Sequence, residues 1–259
     1  MPCLAVVVLL ALAGTALGQD EGITVRADPS GRISMLAGGR LIGIIELSLH
    51  TPGWTHVAQS RARAQSAVEQ GEGGPVLVHK GTLPIPGGEA GLAFVQKTQG
   101  AENGFFVDYD ITCEQDVTLN AIQVSLLMPE ALYRGGQAEV TMPGDAVRQV
   151  PLAQEQAENF VLFQGKTNQV GIAPPDTPAI AIGAKEGSDT FIHDLRRWDQ
   201  PYFEVRYTLV FNDEGQDIVA DTNYQVPLAI GFDLPVTVEG LPAAAPAPEG
   251  AAAATGAEA

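Results

Sequence analysis

The fold is decided by the stretch FFVDYDITCE, residues 105–114, in which apolar and polar side chains alternate. Val107 and Tyr109 occupy one parity, whereas Asp108 and Asp110 occupy the other. A period of two places successive side chains on opposite faces of a strand, so this stretch predicts a β-strand with one buried face. The same alternation recurs along the chain with turn residues between, which favours an all-β fold but exposes no reactive group.

The strand pattern extends over most of the chain. The run LIGIIELSL, residues 41–49, is largely apolar on both parities, which predicts a central strand covered on both faces. Further strands are predicted at 76–85, 90–98, 104–113, 117–128, 138–142, 147–152, 159–164, 169–173, 179–184, 189–193, 202–211 and 224–234. So many strands without long amphipathic helices predict a large antiparallel two-sheet β-sandwich with few or no helices.

Two positions interrupt the regular alternation. The apolar parity changes between Leu119 and Ile122, which requires one extra residue and predicts a β-bulge at 120–121. Pro227 lies inside the last predicted strand and lacks an N–H group for the ladder. Its presence predicts a sheet edge or a bulge at that point.

The two ends of the chain differ in composition from its centre. Residues 1–18 contain an apolar run followed by small residues at Ala16 and Gly18, which predicts a cleaved secretory signal peptide. The run is too short to span a bilayer, so we expect a secreted or periplasmic protein without membrane insertion after cleavage. Residues 19–240 are then predicted to form a single β-sandwich domain, and the Ala- and Pro-rich residues 241–259 a disordered tail.

Charge and missing motifs exclude several functions. The chain carries 31 acidic and 14 basic residues, giving a formal net charge of −17. Such a surface repels phosphate and sulfate groups, so nucleic acid is not expected as a partner. The sequence lacks the GxSxG, HExxH, CxxC, GxxxxGK and GxGxxG motifs. We therefore predict no nucleotide or other cofactor.

The potential metal ligands do not have the spacing of a metal site. The four histidines, at positions 50, 56, 79 and 193, show no i, i+2 or i, i+4 pair, so no metal is predicted. Residues 212–221 gather four carboxylates around a glycine but lack the calcium-loop spacing, which favours a polar hairpin turn. Cys113 remains alone after signal cleavage and lies on the apolar strand face, so we expect a buried, inert thiol.

The densest cluster of polar and aromatic side chains is HDLRRWDQPY, residues 193–202. Sugar sites use this combination, because rings pack on the apolar faces of pyranoses while planar polar groups fix the hydroxyls. The alternative is a structural loop in which Trp198 closes the end of the sandwich and the arginines pair with nearby acids. The candidate ligand-binding residues of this cluster are His193, Asp194, Arg196, Arg197, Trp198, Asp199 and Tyr202.

A second candidate cluster lies within WTHVAQSRARAQSAVEQ, residues 54–70. Its composition also suits a helix, but its alternation favours a strand that places Arg61 and Arg63 on one face. Together with Trp54 and His56, these arginines form a candidate site that would hold a substrate carboxylate. The alternative is that they pair with the chain's own acidic residues.

Two stretches resemble a known structural class: residues 110–136, DITCEQDVTLNAIQVSLLMPEALYRGG, and residues 196–211, RRWDQPYFEVRYTLVF. They are similar to the supersandwich domains of exported bacterial polysaccharide-active proteins, the galactose mutarotase-like class. That class includes aldose epimerases and the β domains of glycosidases and polysaccharide lyases, so the resemblance implies a carbohydrate ligand. The epimerases use two histidines and a glutamate, but the sequence does not show which residues would form that set, and no catalytic residue is predicted.

Three functions remain open at this point. The first is an exported, non-catalytic protein that binds poly- or oligosaccharide or serves as an accessory structural module. The second is a glycosidase, polysaccharide lyase or aldose epimerase on the same scaffold. The third is a purely structural envelope protein, and the sequence specifies no oligomeric state.

Overall fold

The computed structural model describes residues 22–87, 91–156 and 158–242, and it is nearly all β, with 68% strand and 5% helix. The all-β prediction is therefore confirmed. The predicted signal peptide, and all but two residues of the predicted tail, lie outside the described residues. No helix in the described part has the length and apolar character needed to cross a membrane.

The strands follow one another with short connections. They are β1 (Ile23–Ala27), β2 (Ile33–Ala37), β3 (Arg40–Thr51), β4 (Thr55–Ala58), β5 (Arg63–Gly71), β6 (Gly74–Pro84), β7 (Gly91–Ala101), β8 (Gly104–Cys113), β9 (Val117–Pro129), β10 (Gln137–Thr141), β11 (Val147–Pro151), β12 (Val161–Ala173), β13 (Ile180–Asp194), β14 (Tyr202–Ile218), β15 (Asn223–Phe232) and β16 (Val236–Val238). One α-helix, α1 (Glu130–Tyr133), and two 3-10 turns, Gln59–Arg61 and Leu195–Trp198, complete the described elements.

The strands form one hydrogen-bonded sheet. The order along its main path is β16-β1-β2-β3-β9-β14-β13-β15-β8-β7-β6-β5, with β4 added beside β3 and β10 to β12 added beside β13. Among the described strands, the pairing of β1 with β16 is parallel and the others are antiparallel. The large sheet curls, so its two halves cover a common core.

Contacts between distant strands show how the halves meet. The amide of Gln59, beside β3, donates to the Gln96 side chain on β7 at 2.7 Å, and the hydroxyl of Tyr109 on β8 donates to Gln59 at 3.1 Å. Leu47, Val107 and other apolar residues of both halves are fully buried between them. Each large apolar side chain buried there contributes about 1.5–3 kcal/mol to stability, so this shared core holds the curled sheet together.

The two predicted irregularities have different outcomes. Leu119 and Ile122 are both buried in the core, so the apolar parity changes where the sequence indicates. The prediction of an extra residue in β9 at 120–121 is wrong, because residues 212–215 of β14 stand opposite the single residue Asn120, so the inserted residues belong to the neighbouring strand. At Pro227, β15 pairs with β8 on one side only, because its pairing with β13 ends at Ala229. Cys113 is buried, as expected.

The prediction of one continuous strand over residues 54–70 is wrong. The 3-10 turn at Gln59–Arg61 separates β4 from β5, and Arg61 and Arg63 consequently do not share a strand face. The physical reason is Gln59, whose side chain turns inward and accepts a hydrogen bond from the Leu47 backbone N–H at 2.8 Å. That N–H lies at a gap between the β2 and β4 pairings of β3, so it needs this side-chain partner.

Three other boundaries need correction. The strands predicted at 159–164 and 169–173 form the single strand β12, and those predicted at 179–184 and 189–193 form the single strand β13. The pairing of β12 with β13 changes register between Thr167 and Gln169, which interrupts the alternation without ending either strand. The hairpin turn predicted over 212–221 is confined to four residues, because β14 continues to Ile218. The Asn120 side chain stabilises this extension by donating to the Asp213 carbonyl at 2.7 Å.

Candidate functional site

The candidate site lies on the face of the central strands opposite the shared core. Along β14, Phe203 and Val205 point into the core, so Glu204 and Arg206 must point to the other face. The register then places Glu46 of β3, Ser125 of β9 and Arg206 of β14 in one row. We call the following side chains the polar floor: Glu46, Ser48, Gln123, Ser125, Glu204, Arg206 and Thr208.

Glu204 is the organising group of the polar floor. One carboxylate oxygen accepts from the Ser125 hydroxyl at 2.7 Å and from the Gln123 amide at 3.3 Å. The other lies 3.0 Å from Nδ1 of His193 and 3.0 Å from a terminal nitrogen of Arg206. A carboxylate offers about four lone-pair sites, so these contacts occupy its whole acceptor capacity.

These partners determine the charge of Glu204. Burial by itself raises the pKa of this carboxyl, but the Arg206 guanidinium and the hydrogen bonds from His193 and Ser125 outweigh it and hold the pKa at about 2. Glu204 is therefore ionised at neutral pH. Because its oxygens are fully engaged, it fixes the orientation of its neighbours and offers no free acceptor of its own.

Four buried polar atoms around Glu204 have no hydrogen-bond partner among the described residues. They are Arg206 Nε, Gln123 Oε1, Thr208 Oγ1 and His50 Nδ1. Leaving a buried polar atom unpaired costs about 1–3 kcal/mol, so native proteins normally pair such atoms with protein, water or ligand. Gln123 and Thr208 lie directly opposite each other in register. The floor therefore presents adjacent open donors and acceptors, which match the hydroxyl groups of a ligand.

A continuous series of rings borders the polar floor. We call it the aromatic arc, and its members in order of contact are His56, His50, Trp54, Phe211, Phe191, His193, Phe160 and Trp198. Neighbouring ring centroids lie between 4.6 Å and 5.6 Å apart. Trp54 is 38% exposed, Phe211 43% and Trp198 50%, so the arc offers apolar surface to solvent beside a polar interior.

The backbone under Trp54 is strained. Gly53 and Trp54 both adopt positive φ angles, 83° and 61°, in the turn between β3 and β4. The left-handed conformation costs a non-glycine residue about 1–2 kcal/mol, and such strain concentrates at ligand-binding turns. The turn therefore holds the Trp54 ring against His50 and Phe211 at an energetic cost.

A second carboxylate extends the floor. The Arg32 guanidinium contacts Glu46 at 2.7 Å. Burial raises the pKa of Glu46 and the charge of Glu204 raises it further, although Arg32 acts in the opposite direction. The two acids thus have pKa values displaced in opposite directions, and an arginine accompanies each of them.

Two residues of the first predicted cluster, Asp194 and Arg196, anchor a loop. Both guanidinium contacts of Arg196 to the buried Asp194 carboxylate are short, at 2.8 Å and 2.7 Å. Arg196 also donates to the carbonyls of residues 153–155 and lies 4.9 Å over the Phe203 ring. Asp194 and Arg196 therefore follow the alternative interpretation, a structural loop whose arginine pairs with a nearby acid. His193 belongs to the polar floor's surroundings instead, because it contacts Glu204.

The remaining residues of that cluster surround the end of the arc. Arg197 lies over the Phe160 ring at 5.6 Å, and Trp198 contacts the same ring edge-on at 4.6 Å. Asp199 ends the 3-10 turn with a left-handed φ of 56°. Tyr202 packs in a small apolar cluster with Leu195 and does not reach the polar floor.

The residues of the second predicted cluster do not all lie in one site. Trp54 joins the aromatic arc, so the structure brings it into the same site as His193 and Trp198. Arg61 lies close enough for its charge to lower the pKa of His56, although burial of that histidine lowers it more. Arg63 is the first residue of β5. Among the described residues, neither arginine forms an ion pair.

Most of the polar floor was missed by sequence reasoning. The sequence did contain one signal, because charged and amide side chains alternate with the core-facing residues of the most apolar strands. They are Glu46 in β3, Gln123 in β9, and Glu204 with Arg206 in β14. Their convergence depends on the strand order, which alternation alone does not specify. Within the described residues, no three His, Cys, Asp or Glu side chains are arranged to hold a metal ion.

Comparisons with known proteins identify the architecture. No protein-family model and no curated protein sequence matches the chain. Among solved structures, Slr1438 of Synechocystis sp. PCC 6803 matches with a TM-score of 0.51 and 7% identity, over 79% of this chain and 89% of that one. A putative aldose 1-epimerase of Escherichia coli K12 matches with a TM-score of 0.50 and 10% identity, over 83% and 99%.

The fold resembles that of a putative aldose 1-epimerase. A galactose mutarotase-like protein of Lactobacillus casei ATCC 334 also matches, with a TM-score of 0.48 and 10% identity, over 82% of this chain and 100% of that one. The match to the putative aldose 1-epimerase confirms, for the fold alone, the resemblance seen in the sequence. At these identities the likeness concerns the architecture alone, so the function must be argued from the site.

Proposed function

We propose that this is an exported protein that binds a carbohydrate, with one sugar ring held between the polar floor and the aromatic arc. The observation that carries the proposal is the convergence of unpartnered buried groups, Arg206 Nε, Gln123 Oε1 and Thr208 Oγ1, beside exposed rings. A pyranose carries hydroxyls that satisfy such groups and apolar C–H faces that pack on rings. A fold shared with a putative aldose 1-epimerase supports this ligand class.

The charges of the floor favour a neutral sugar. Arg206 contacts Glu204 at 3.0 Å and Arg32 contacts Glu46 at 2.7 Å, so each cation has a carboxylate partner within the site. A uronate would have to compete with these carboxylates for the guanidinium groups. We therefore expect neutral hexoses, or oligosaccharides of them, to bind more tightly than uronic acids.

Access to the floor requires the Trp54 turn to move. The open floor atoms are buried, and the Trp54 ring, held by a strained turn, packs on His50, whose Nδ1 is one of the unpartnered atoms. The strained turn releases free energy when it relaxes. Displacing it by a ligand therefore costs less free energy than displacing a relaxed loop with the same contacts. In this proposal the Trp54 ring opens and then packs on the bound sugar.

A glycan array followed by titration calorimetry tests the proposal. Trp54→Ala should weaken binding of a retained glycan about tenfold or more, because the stacking surface is lost. Thr208→Val keeps the shape but removes one hydroxyl, and should weaken binding by a smaller factor. Phe106→Ala is the matched control, since Phe106 is equally exposed at 38% but lies outside the arc. Absence of any retained glycan, or unchanged binding by Trp54→Ala, would reject the proposal.

Export has its own test. The N-terminal apolar run and the small residues before Gln19 support it. Mass spectrometry of the protein recovered outside the cytoplasm should show a chain that begins at Gln19. Recovery of the uncleaved chain from the cytosol would argue against export.

Catalysis of anomer exchange is the second candidate. The 3.0 Å contact between His193 and Glu204, with His50 nearby, provides two histidines and a glutamate, the set that the epimerase class uses. In this reaction one proton leaves the anomeric hydroxyl and another adds to the ring oxygen, so the ring opens and recloses. A carboxylate with a pKa of about 2 is a weak base, and for this reason we place binding before catalysis.

Polarimetry separates the two candidates. Fresh α-glucose and α-galactose should equilibrate at the buffer rate if the protein only binds them. Acceleration that Glu204→Gln abolishes, and that Glu239→Gln retains, would establish the enzymatic alternative instead. The Glu239 variant makes the same chemical change at a position where the partner is the exposed Arg26.

A further inference from the structure

Strand β5 has a long open edge. It pairs with β6 from Arg63–Thr82 to Gly71–Gly74 without a register shift, and β5 ends the main path of the sheet. Eight of its nine residues are exposed, which leaves a row of backbone groups facing solvent. Open strand edges attract other strands, and proteins normally protect them with prolines, bulges, short strands or charged side chains. β5 has nine residues, no proline and no register shift, and its two charged side chains, Arg63 and Glu69, have opposite signs.

Other strands at the borders of the described sheet are protected. β16 has only three residues and β4 only four. β11 has five residues, and its last residue is Pro151. The open edge of β5 is therefore both longer and more regular than these, which distinguishes it as a surface for a partner.

The side chains of β5 are complementary to those of a second β5 in the antiparallel direction. When the two strands are centred on Ser66, Arg63 of each copy lies opposite Glu69 of the other. Ala64 then lies opposite Val68, which is 51% exposed in the single chain. Directly opposed opposite charges and apolar pairs stabilise antiparallel strands. The pattern is thus self-complementary, as a two-fold symmetric interface requires.

We propose that the β5 edges of two copies pair antiparallel about Ser66, joining two sheets into one continuous sheet in a two-fold symmetric dimer. Arg63 has no ion pair among the described residues, so it is available for this contact. Glu69 contacts the exposed Lys80 at 3.1 Å and lies on the same strand face as Arg63. The dimer would therefore contain two interstrand Arg63–Glu69 pairs, each extended by Lys80.

The charge of the whole protein opposes this association. Each copy carries a formal charge of −17, so the copies repel one another at low salt. At physiological ionic strength the screening length is about 8 Å, which damps the long-range repulsion while direct contacts persist. We therefore expect the dimer to strengthen from low salt to about 0.15 M salt. Because one strand edge is a small interface, we expect micromolar association.

Sedimentation of the full chain over a concentration series tests this interface. The wild type should form a concentration-dependent dimer. Arg63→Glu places Glu opposite Glu69 twice, and Glu69→Arg places Arg opposite Arg63 twice, so each variant should weaken dimerisation about tenfold or more. An equimolar mixture of the two variants should regain the dimer, because each strand then meets its charge complement.

The control is Arg40→Glu, the same charge change at an exposed position in the β2–β3 hairpin, which should dimerise like the wild type. A wild type that stays monomeric at all concentrations would refute the proposal. Dimerisation unaffected by Arg63→Glu, or no recovery in the mixture, would also refute it by placing the interface elsewhere. Far-ultraviolet circular dichroism shows whether each variant is folded.

Discussion

At the residue scale, the polar floor depends on Glu204. We predict that Glu204→Gln lowers the free energy of unfolding by about 3 kcal/mol, because Arg206 loses its counter-charge in a buried position. The new amide also presents N–H groups where Arg206 and His193 require an acceptor. Urea unfolding at pH 7 measures the effect.

The control for this prediction is Glu239→Gln, which disrupts the exposed pair with Arg26 and should cost no more than about 1 kcal/mol. Equal losses in the two variants would contradict the central role assigned to Glu204.

The sequence did not reveal Glu204 for a physical reason. Its partners Ser125 and His193 lie 79 and 11 residues away, and strand register alone brings them together. By contrast, His193, Trp198 and Trp54 were predicted from local composition, because rings and charges cluster near them in the sequence. Local composition therefore found parts of the arc, whereas the floor required the tertiary structure.

At the element scale, Gln59 determines where β4 ends and β5 begins. We predict that Gln59→Leu destabilises the protein by about 2–4 kcal/mol, because the Leu47 N–H and the Tyr109 hydroxyl lose their acceptor in the core. Tyr109→Phe removes only one of these hydrogen bonds and should cost about 1 kcal/mol. Thermal and urea unfolding of both variants measure this order.

Gln225→Leu, at an exposed position on β15, controls for the substitution itself and should change stability little. A Gln59→Leu protein as stable as wild type would contradict the proposed role of the buried amide.

Most strands were predictable because one of their faces is apolar. Alternation located β8, β9 and β15 within two residues. It also detected the change of apolar parity between Leu119 and Ile122, but it assigned the extra residue to β9, whereas the inserted residues lie in β14. It failed at residues 54–70, where the alternating small and polar residues gave no indication that Gln59 turns inward. It also divided β12 and β13, since a register shift interrupts the alternation without ending the strand.

At the scale of the whole molecule, stability should fall as the pH falls, because the site buries groups that titrate. Burial, with His56 and Arg206 adding to it, lowers the pKa of His50 from 6.5 to about 4. The unfolded chain therefore binds a proton on this histidine below about pH 6.5, while the folded protein resists it until about pH 4. Glu204 has a folded pKa near 2 against an ordinary value of 4.5, so its contribution is lost in the next, more acidic range.

We predict that His50→Gln reduces the loss of stability between pH 6.5 and pH 4 by roughly 2 kcal/mol, because the variant has no proton to take up there. The variant should still lose stability between about pH 4.5 and pH 2, where Glu204 becomes protonated. His56 and His79 also have lowered pKa values, chiefly through burial, and are present in both proteins, so the difference between the two proteins reports His50 together with its interaction with His56. Urea unfolding from pH 7 to pH 2 provides the comparison. Parallel stability curves for the two proteins would mean that His50 takes up its proton equally in the folded and unfolded states, and that the aromatic arc does not shield it from water.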